Sequence, residues 1–241
     1  MILTVASLKG GVGKTSLAVF LAQALRKHGK VLCVDLDPNN NATDFFLRHA
    51  DPEAIEQKNV FHVLRGTERL SDCIHKAGLP VLPCTPELHK AGQELGTKPA
   101  ALMRFQKAIK ESGFDFVVID TPPALVYELR AGIYVADLVL SPLQYNRWSF
   151  QNLELLRLEI EDAREAPCPL LVVPSIVTQA ENERLRNMFP DLEFSQASIT
   201  KSAAIRNAGN KATPLRESSK SHGQFESLSK EVQKFSELLK T

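Results

Sequence analysis

The run Leu8-Lys9-Gly10-Gly11-Val12-Gly13-Lys14-Thr15-Ser16 constrains this chain more than any other stretch. It reads as a phosphate-binding loop that carries two lysines and has Leu8 where the ordinary pattern opens on glycine. Gly10, Gly11 and Gly13, interrupted only by Val12, let the backbone wrap close to anionic oxygens with no Cβ in the way, and Lys14 reaches β- and γ-phosphates. Thr15 supplies a hydroxyl for Mg²⁺, and Ser16 follows it into the helix. Residues 2 to 7 form an apolar run suited to a buried parallel strand, and residues 17 to 25 continue as a helix ending near Gly29. Strand, glycine loop and helix in that order deliver phosphate to a helix N-terminus, where unpaired N–H groups and the positive dipole end favour an anion.

The rest of the chain alternates short β-rich runs with longer helical ones. Strands are expected at 30 to 35, 80 to 83, 114 to 120, 137 to 142 and 169 to 174, and helices at 43 to 47, 99 to 112, 126 to 135, 149 to 165 and in the C-terminal tail. This spacing predicts an α/β fold with a doubly wound, mostly parallel sheet and helices on both faces, with ligand at the strands' C-terminal ends. Residues 51 to 75 read either as a short helix or as a small surface excursion. No repeat or low-complexity linker interrupts residues 1–241, so a single domain is expected; 241 residues, 44% of them hydrophobic, are enough for a full core.

A formal net charge of +1 argues against a uniformly basic nucleic-acid binder, so any basic patch has to be found by position. Cys33, Cys73, Cys84 and Cys168 are far apart, form no Cys-x-x-Cys pair and read as reduced core residues rather than metal ligands. No signal peptide is visible, and no apolar stretch approaches the ~20 residues of a spanning helix. A cytoplasmic protein is expected.

Two further sites carry chemistry. In Val34-Asp35-Leu36-Asp37-Pro38-Asn39, Asp37 is placed to orient or polarise a water attacking the γ-phosphate, while Asp35, nearer the strand, is suited to hold Mg²⁺ through water. Pro38 stops the strand. In Phe116-Val117-Val118-Ile119-Asp120 an apolar strand ends in a carboxylate, the Walker B pattern, which sets Asp120 across from Thr15 on the metal.

Together, Lys9-Gly10-Gly11-Val12-Gly13-Lys14-Thr15-Ser16, Asp35-Leu36-Asp37-Pro38, Asn41-Ala42-Thr43, Ile119-Asp120-Thr121-Pro122-Pro123 and Pro142-Leu143-Gln144 resemble the ParA/MinD group of deviant Walker A ATPases. The similarity runs over nearly the whole chain in order, and is closest to small ParA-type partition ATPases. The resemblance implies ATP and Mg²⁺ as cofactors, a homodimer closed face to face by ATP, and Lys9 crossing to the partner's phosphates as a second catalytic residue beside Asp37. A cation there offsets the repulsion between two bound polyphosphates. It also implies that the base lies near Pro174 and Ser175. Where many relatives have Asp-Pro-Gln, this chain has Asp37-Pro38-Asn39, one methylene shorter, so the rate of hydrolysis does not carry over. The guanine-reading Asn-Lys-x-Asp is missing, since Asn210-Lys211 runs on into Ala212-Thr213, and ATP is favoured over GTP.

Residues 200 to 220 hold Lys201, Arg206, Lys211, Arg216 and Lys220 against Glu217, a local net charge of +4. By resemblance, Lys201, Arg206, Lys211 and Arg216 bind nonspecific DNA in the ATP-bound dimer, a ParB-like adaptor stimulates hydrolysis, and the protein is nucleoid-associated. Phosphate contacts from such side chains are sequence-independent and salt-sensitive. The MinD-like alternative cycles on membranes through its last helix. Here Phe225, Leu228, Val232, Phe235 and Leu239 share one face, but Glu226, Glu231 and Glu237 balance Lys230, Lys234 and Lys240, so the helix lacks the cationic excess of a lipid-bound one and is expected to dock on the core. A metabolic P-loop enzyme of the Fe–S carrier type is the other alternative, against which the cysteine spacing speaks.

Overall fold

Why the strands here are apolar on both sides becomes plain from what covers them. The computed structural model describes residues 1–164 and 166–238. Along each central strand, odd and even residues enter different cores. Leu3, Val5, Val31, Cys33, Val118, Leu138 and Leu140 face one. Ile2, Leu32, Val34, Val117 and Ile119 face another, and Val139 and Val172 a third on the same side. With period-2 side chains and helices on both faces, neither set can be polar.

In chain order the elements are β1 (Ile2–Val5), α1 (Lys14–Leu25), β2 (Val31–Asp35), α2 (Asn41–Leu47), α3 (Pro52–Gln57), α4 (Val60–Arg65), α5 (Leu70–Cys73), β3 (His75–Ala77), β4 (Leu79–Leu82), a 3₁₀ turn (Pro86–Lys90), α6 (Ala91–Leu95) and α7 (Pro99–Lys110). Then follow β5 (Phe116–Asp120), α8 (Tyr127–Val135), β6 (Leu138–Leu143), α9 (Arg147–Asp162), β7 (Leu170–Val177), α10 (Gln179–Met188), β8 (Ile199–Thr200), α11 (Ala203–Lys211) and α12 (Lys220–Leu238). The eight strands lie in the order β3-β4-β2-β5-β1-β6-β7-β8 and all pair in parallel except β3 with β4. The fold class is the one expected.

Several elements exceed the expectation. Residues 51 to 75 break into three short helices and the start of an edge hairpin, each helix too short to show a period. α10 is largely polar, with only Asn182 and Leu185 buried, and its start is fixed by a capping box between Thr178 and Glu181. That Thr-x-x-Glu spacing is visible in the sequence and marks the helix where hydrophobicity does not. β8 has two residues, held partly by Gln224 Oε1, which accepts from the Thr200 amide. β7 runs three residues past the expected end, which carries Ser175 and Ile176 to the edge of the glycine loop.

α1 is buried almost all round, because the sheet covers one side and α12 the other. Phe20 meets both Phe45 and Phe225, with ring centroids 5.6 and 5.5 Å apart. Phe225, Leu228 and Val232 of α12 are buried in this same core. The tail's apolar face is thus spent on α1, as expected of a docked helix; Glu165, Leu239 and Lys240, part of the expected helices, lie outside the described residues. No helix among the described residues is long and apolar enough to cross a membrane.

Candidate nucleotide site

Three adjacent strands, β2, β5 and β1, end at the same level and deliver the three motifs to one place. Asp35 pairs in register with Asp120, and Val5 pairs with Asp120 from the other side. After Val5 the chain enters the glycine loop, where Gly11 and Gly13 have φ of +73° and +90°. A side chain at either would be strained, which explains these two glycines. α1 starts at Lys14, with Gly13 as its N-cap.

The loop is braced from outside. The Gln144 side-chain amide, at the end of β6, donates to the Gly11 carbonyl at 3.0 Å, and the Ser175 hydroxyl, near the end of β7, donates to the Val12 carbonyl at 3.0 Å. Lys14 is buried and its ammonium donates to the Lys9 carbonyl at 3.0 Å. Burial pushes its pKa down, while Asp120 and Asp37 act to hold it up. A lysine in this position is poised to meet an anion with little solvation to lose.

Each carboxylate has a different set of partners. Asp35 is fully buried; its Oδ2 accepts from the Thr43 amide and hydroxyl, both at 2.8 Å, and its Oδ1 from the Asp37 amide at 3.0 Å. Burial drives its pKa up to about 6 in spite of those three bonds. Thr43, quoted above only as part of a motif, thus locks α2 to β2, and it also accepts from the Cys84 amide at 2.9 Å. Asp37 Oδ1 accepts both the backbone and the side-chain amide of Asn39, each at 3.0 Å. Asn39 is therefore turned inward onto Asp37, and the turn it caps passes through Asn40 at φ +48°, a conformation asparagine tolerates.

Asp120 differs from both. It is completely buried, and neither carboxylate oxygen makes a hydrogen bond of good geometry, although Thr15 lies close enough to lower its pKa. Desolvation, reinforced by Asp35, drives that pKa well up. A buried carboxylate whose oxygens make no well-formed hydrogen bond, with the Lys14 ammonium acting on it, suits coordination of a further cation. Oxygen donors from Thr15 and Asp120 alone suit Mg²⁺, which keeps several waters and takes phosphate oxygens for the rest of its shell. The residues present fit the nucleotide and the metal.

Beside the loop opens a cavity of about 600 Å³, lined by Gly11, Gly13 and Ser16 of the loop and by Lys201, Arg206 and Asn210. Ser175 and Ile176 line it; Pro174, also expected at the base, does not, being a strand residue paired with Leu143. Ile176 has φ +56°, rare for a β-branched side chain, and a Cβ on Gly13 would approach its Cδ1 to 3.6 Å. Of the four cations expected to bind DNA, Lys201 and Arg206 border this cavity. Lys211 and Arg216 border a separate groove of about 410 Å³. Nothing in the sequence singled out Gln144, Thr43 or Ile176 for a role.

The four cysteines are buried thiols, and burial raises the pKa of each, that of Cys73 to about 11. This disfavours the thiolate that a cluster requires.

Known proteins place this geometry. The family described as "AAA domain" (AAA_31) matches residues 1–171. The chromosome-partitioning ATPase Soj of Thermus thermophilus is 36% identical over 171 residues, covering 70% of this chain and 65% of that protein. The chromosome partitioning protein ParA of Caulobacter vibrioides is 31% identical over 192 residues, covering 76% of this chain and 70% of that one. In fold, the chain is similar to a putative plasmid partition protein of Borrelia burgdorferi solved with AMPPNP, with TM-score 0.85, 20% identity and coverage of 97% and 98%. By the family match over residues 1–171 and by these relatives, the chain belongs to the ParA/Soj family of P-loop ATPases.

Proposed function

We propose that this protein is a Mg²⁺-dependent ATPase that dimerises on ATP, binds DNA without sequence preference and positions a cargo with a ParB-like adaptor. The observation that carries the reading is Asp120, a buried carboxylate whose oxygens make no well-formed hydrogen bond, one strand away from a glycine loop whose lysine acts on it. The names of the relatives support it, since they are partitioning proteins and one of the solved structures holds an ATP analogue.

ATP brings the phosphoryl group and Mg²⁺ the charge neutralisation. Lys14 and the amides around Gly11 and Gly13 bind the phosphates, and Thr15 and Asp120 hold the metal. Asp35 organises the turn through Thr43 and Asp37, and any part it takes in holding metal runs through water. Asp37 orients the attacking water: Asn39 occupies its Oδ1, which leaves Oδ2 to accept from the water. Lys9 crosses to the nucleotide of the second subunit. The loop after Asp120 exposes Leu125 and Val126 on the way to α8, which suits a face that closes on another copy. The late basic segment, in which Lys211 and Arg216 line a groove of their own, serves DNA, and DNA binding puts the protein on the nucleoid.

Turnover measured with ATP and Mg²⁺ alone, with nonspecific duplex DNA, and with DNA plus the product of the adjacent gene tests the reading. Slow basal hydrolysis accelerated by both additions is expected. Hydrolysis indifferent to DNA and to the second protein would remove the partition reading and leave a metabolic P-loop enzyme.

A further inference from the structure

The basic segment does not act as one patch. α11 presents Ile205, Arg206, Gly209 and Asn210 to the cavity beside the glycine loop. It presents Ala204, Asn207, Ala208 and Lys211 to the other groove, which Arg216 also borders. These are the two opposite stripes that three- and four-residue spacing generates on a helix. One short helix is therefore the shared wall of two differently lined cavities.

Resting on the nucleotide reading above, we infer that Arg206 belongs to the nucleotide and not to DNA: its guanidinium covers the purine, while Lys211 and Arg216 make the DNA-facing groove. A nucleotide with its phosphates at Gly11 and Gly13 has to place its base along the cavity that starts there. That cavity is walled by Ile176, Ile199, Ile205 and Phe225, apolar surfaces suited to a flat ring. Arg206 stands at its border. Arg65, Arg130 and Arg186 are each tied to a carboxylate or carbonyl. Arg206 makes no side-chain hydrogen bond or ion pair among the described residues. A planar guanidinium stacks on an aromatic ring as an ammonium does not. Lys201, at the same border, carries a compact ammonium with no flat face to lay on a ring, which makes it the weaker candidate. The groove beside Lys211 and Arg216 lies on the helix face turned away from the nucleotide.

Calorimetry with ATP and with inorganic tripolyphosphate, together with duplex DNA binding at saturating ATP, separates the assignments in R206A, R206K and K211A/R216A. R206A is expected to weaken ATP about 5- to 30-fold while tripolyphosphate binding stays at the wild-type level, because the lost contact is to the base. R206K recovers less than half of that loss, since charge is kept and the flat stacking surface is not. DNA affinity of R206A at saturating ATP stays within about two-fold of wild type, while K211A/R216A loses about ten-fold or more and its log–log salt slope falls by about two. Unchanged ATP affinity with weakened DNA binding in R206A would overturn the inference, as would an equal loss for tripolyphosphate, which would make Arg206 a phosphate ligand. Wild-type protein that fails to bind ATP overturns the nucleotide reading itself, and is seen before any variant is compared.

Discussion

The glycine loop and the wall formed by α11 face each other across one cavity, yet they are built on opposite terms. At the loop, several polar groups are fixed: carbonyls by Gln144 and Ser175, Lys14 by the Lys9 carbonyl, Asp35 by Thr43. At α11, long exposed side chains stand on a nine-residue helix whose Ala208 alone is buried. Rigid strand ends suit chemistry that tolerates little displacement, and an adaptable rim suits recognition of a base or a DNA backbone. The two regions are still joined, because Arg48 at the end of α2 donates to the Asn210 carbonyl at 3.2 Å, and α2 is locked to Asp35 through Thr43. Movement of the Asp37 turn therefore has a direct mechanical path to the wall that carries the basic side chains.

The largest test of the contrast is to remove each lysine of the loop in turn. Lys14→Ala deletes charge-assisted bonds to phosphate from a buried position, and ATP affinity should fall by about 100-fold or more, as titration calorimetry would show. Lys9→Ala, on the loop's outer side, should keep ATP affinity within a few-fold and lose the ATP-dependent dimer in sedimentation. Normal dimers in Lys9→Ala would take away its role across the interface.

A middle-sized effect comes from Asp35. Its folded pKa of about 6 lies above the ordinary carboxylate value of 3.8, so the native state holds that proton more tightly than the unfolded chain. The resulting stabilisation is complete below about pH 4 and is lost as pH rises through about 6, an effect on the order of 3 kcal/mol. Asp35→Asn keeps an acceptor for Thr43 and has no proton to lose. Its melting temperature relative to wild type should climb between pH 4 and pH 7, and a flat difference would mean that Asp35 stays ionised throughout.

The same contrast explains what was legible in the sequence. Lys14, Asp37 and Asp120 sit where an apolar run ends or a glycine loop begins, so period and punctuation locate them, and the structure brings them together. Gln144 and Thr43 act through bonds to the Gly11 carbonyl and to Asp35, made between segments far apart in the chain, and such bonds leave no local pattern. α11 escaped notice because Ile205 and Ala208 alone are too few to show a helical period around Gly209. Without that helix's register, Arg206 and Lys211 look like neighbours in one basic run, whereas they stand on opposite faces. Ile176 was hidden for a third reason: its backbone is set by the irregular pairing of β7 with β8 between Ser175 and Val177, which depends on a two-residue strand.

Ile176 also gives the smallest and most discriminating test. A β-branched residue at φ +56° carries about 1 to 2 kcal/mol of backbone strain. Such a cost persists only if the side chain is needed where it is. Ile176→Gly relieves the strain but removes an apolar wall from the cavity and loosens the unfolded chain, so the net change in stability should stay within about 1 kcal/mol. Ile199→Ala, buried in ordinary strand geometry at 4% exposure nearby, should cost about 2 to 5 kcal/mol. ATP affinity should fall a few-fold in Ile176→Gly with little movement of its melting temperature. If Ile176→Gly instead destabilises the fold as much as Ile199→Ala and leaves ATP affinity untouched, its side chain serves the core and the strain has no bearing on the nucleotide.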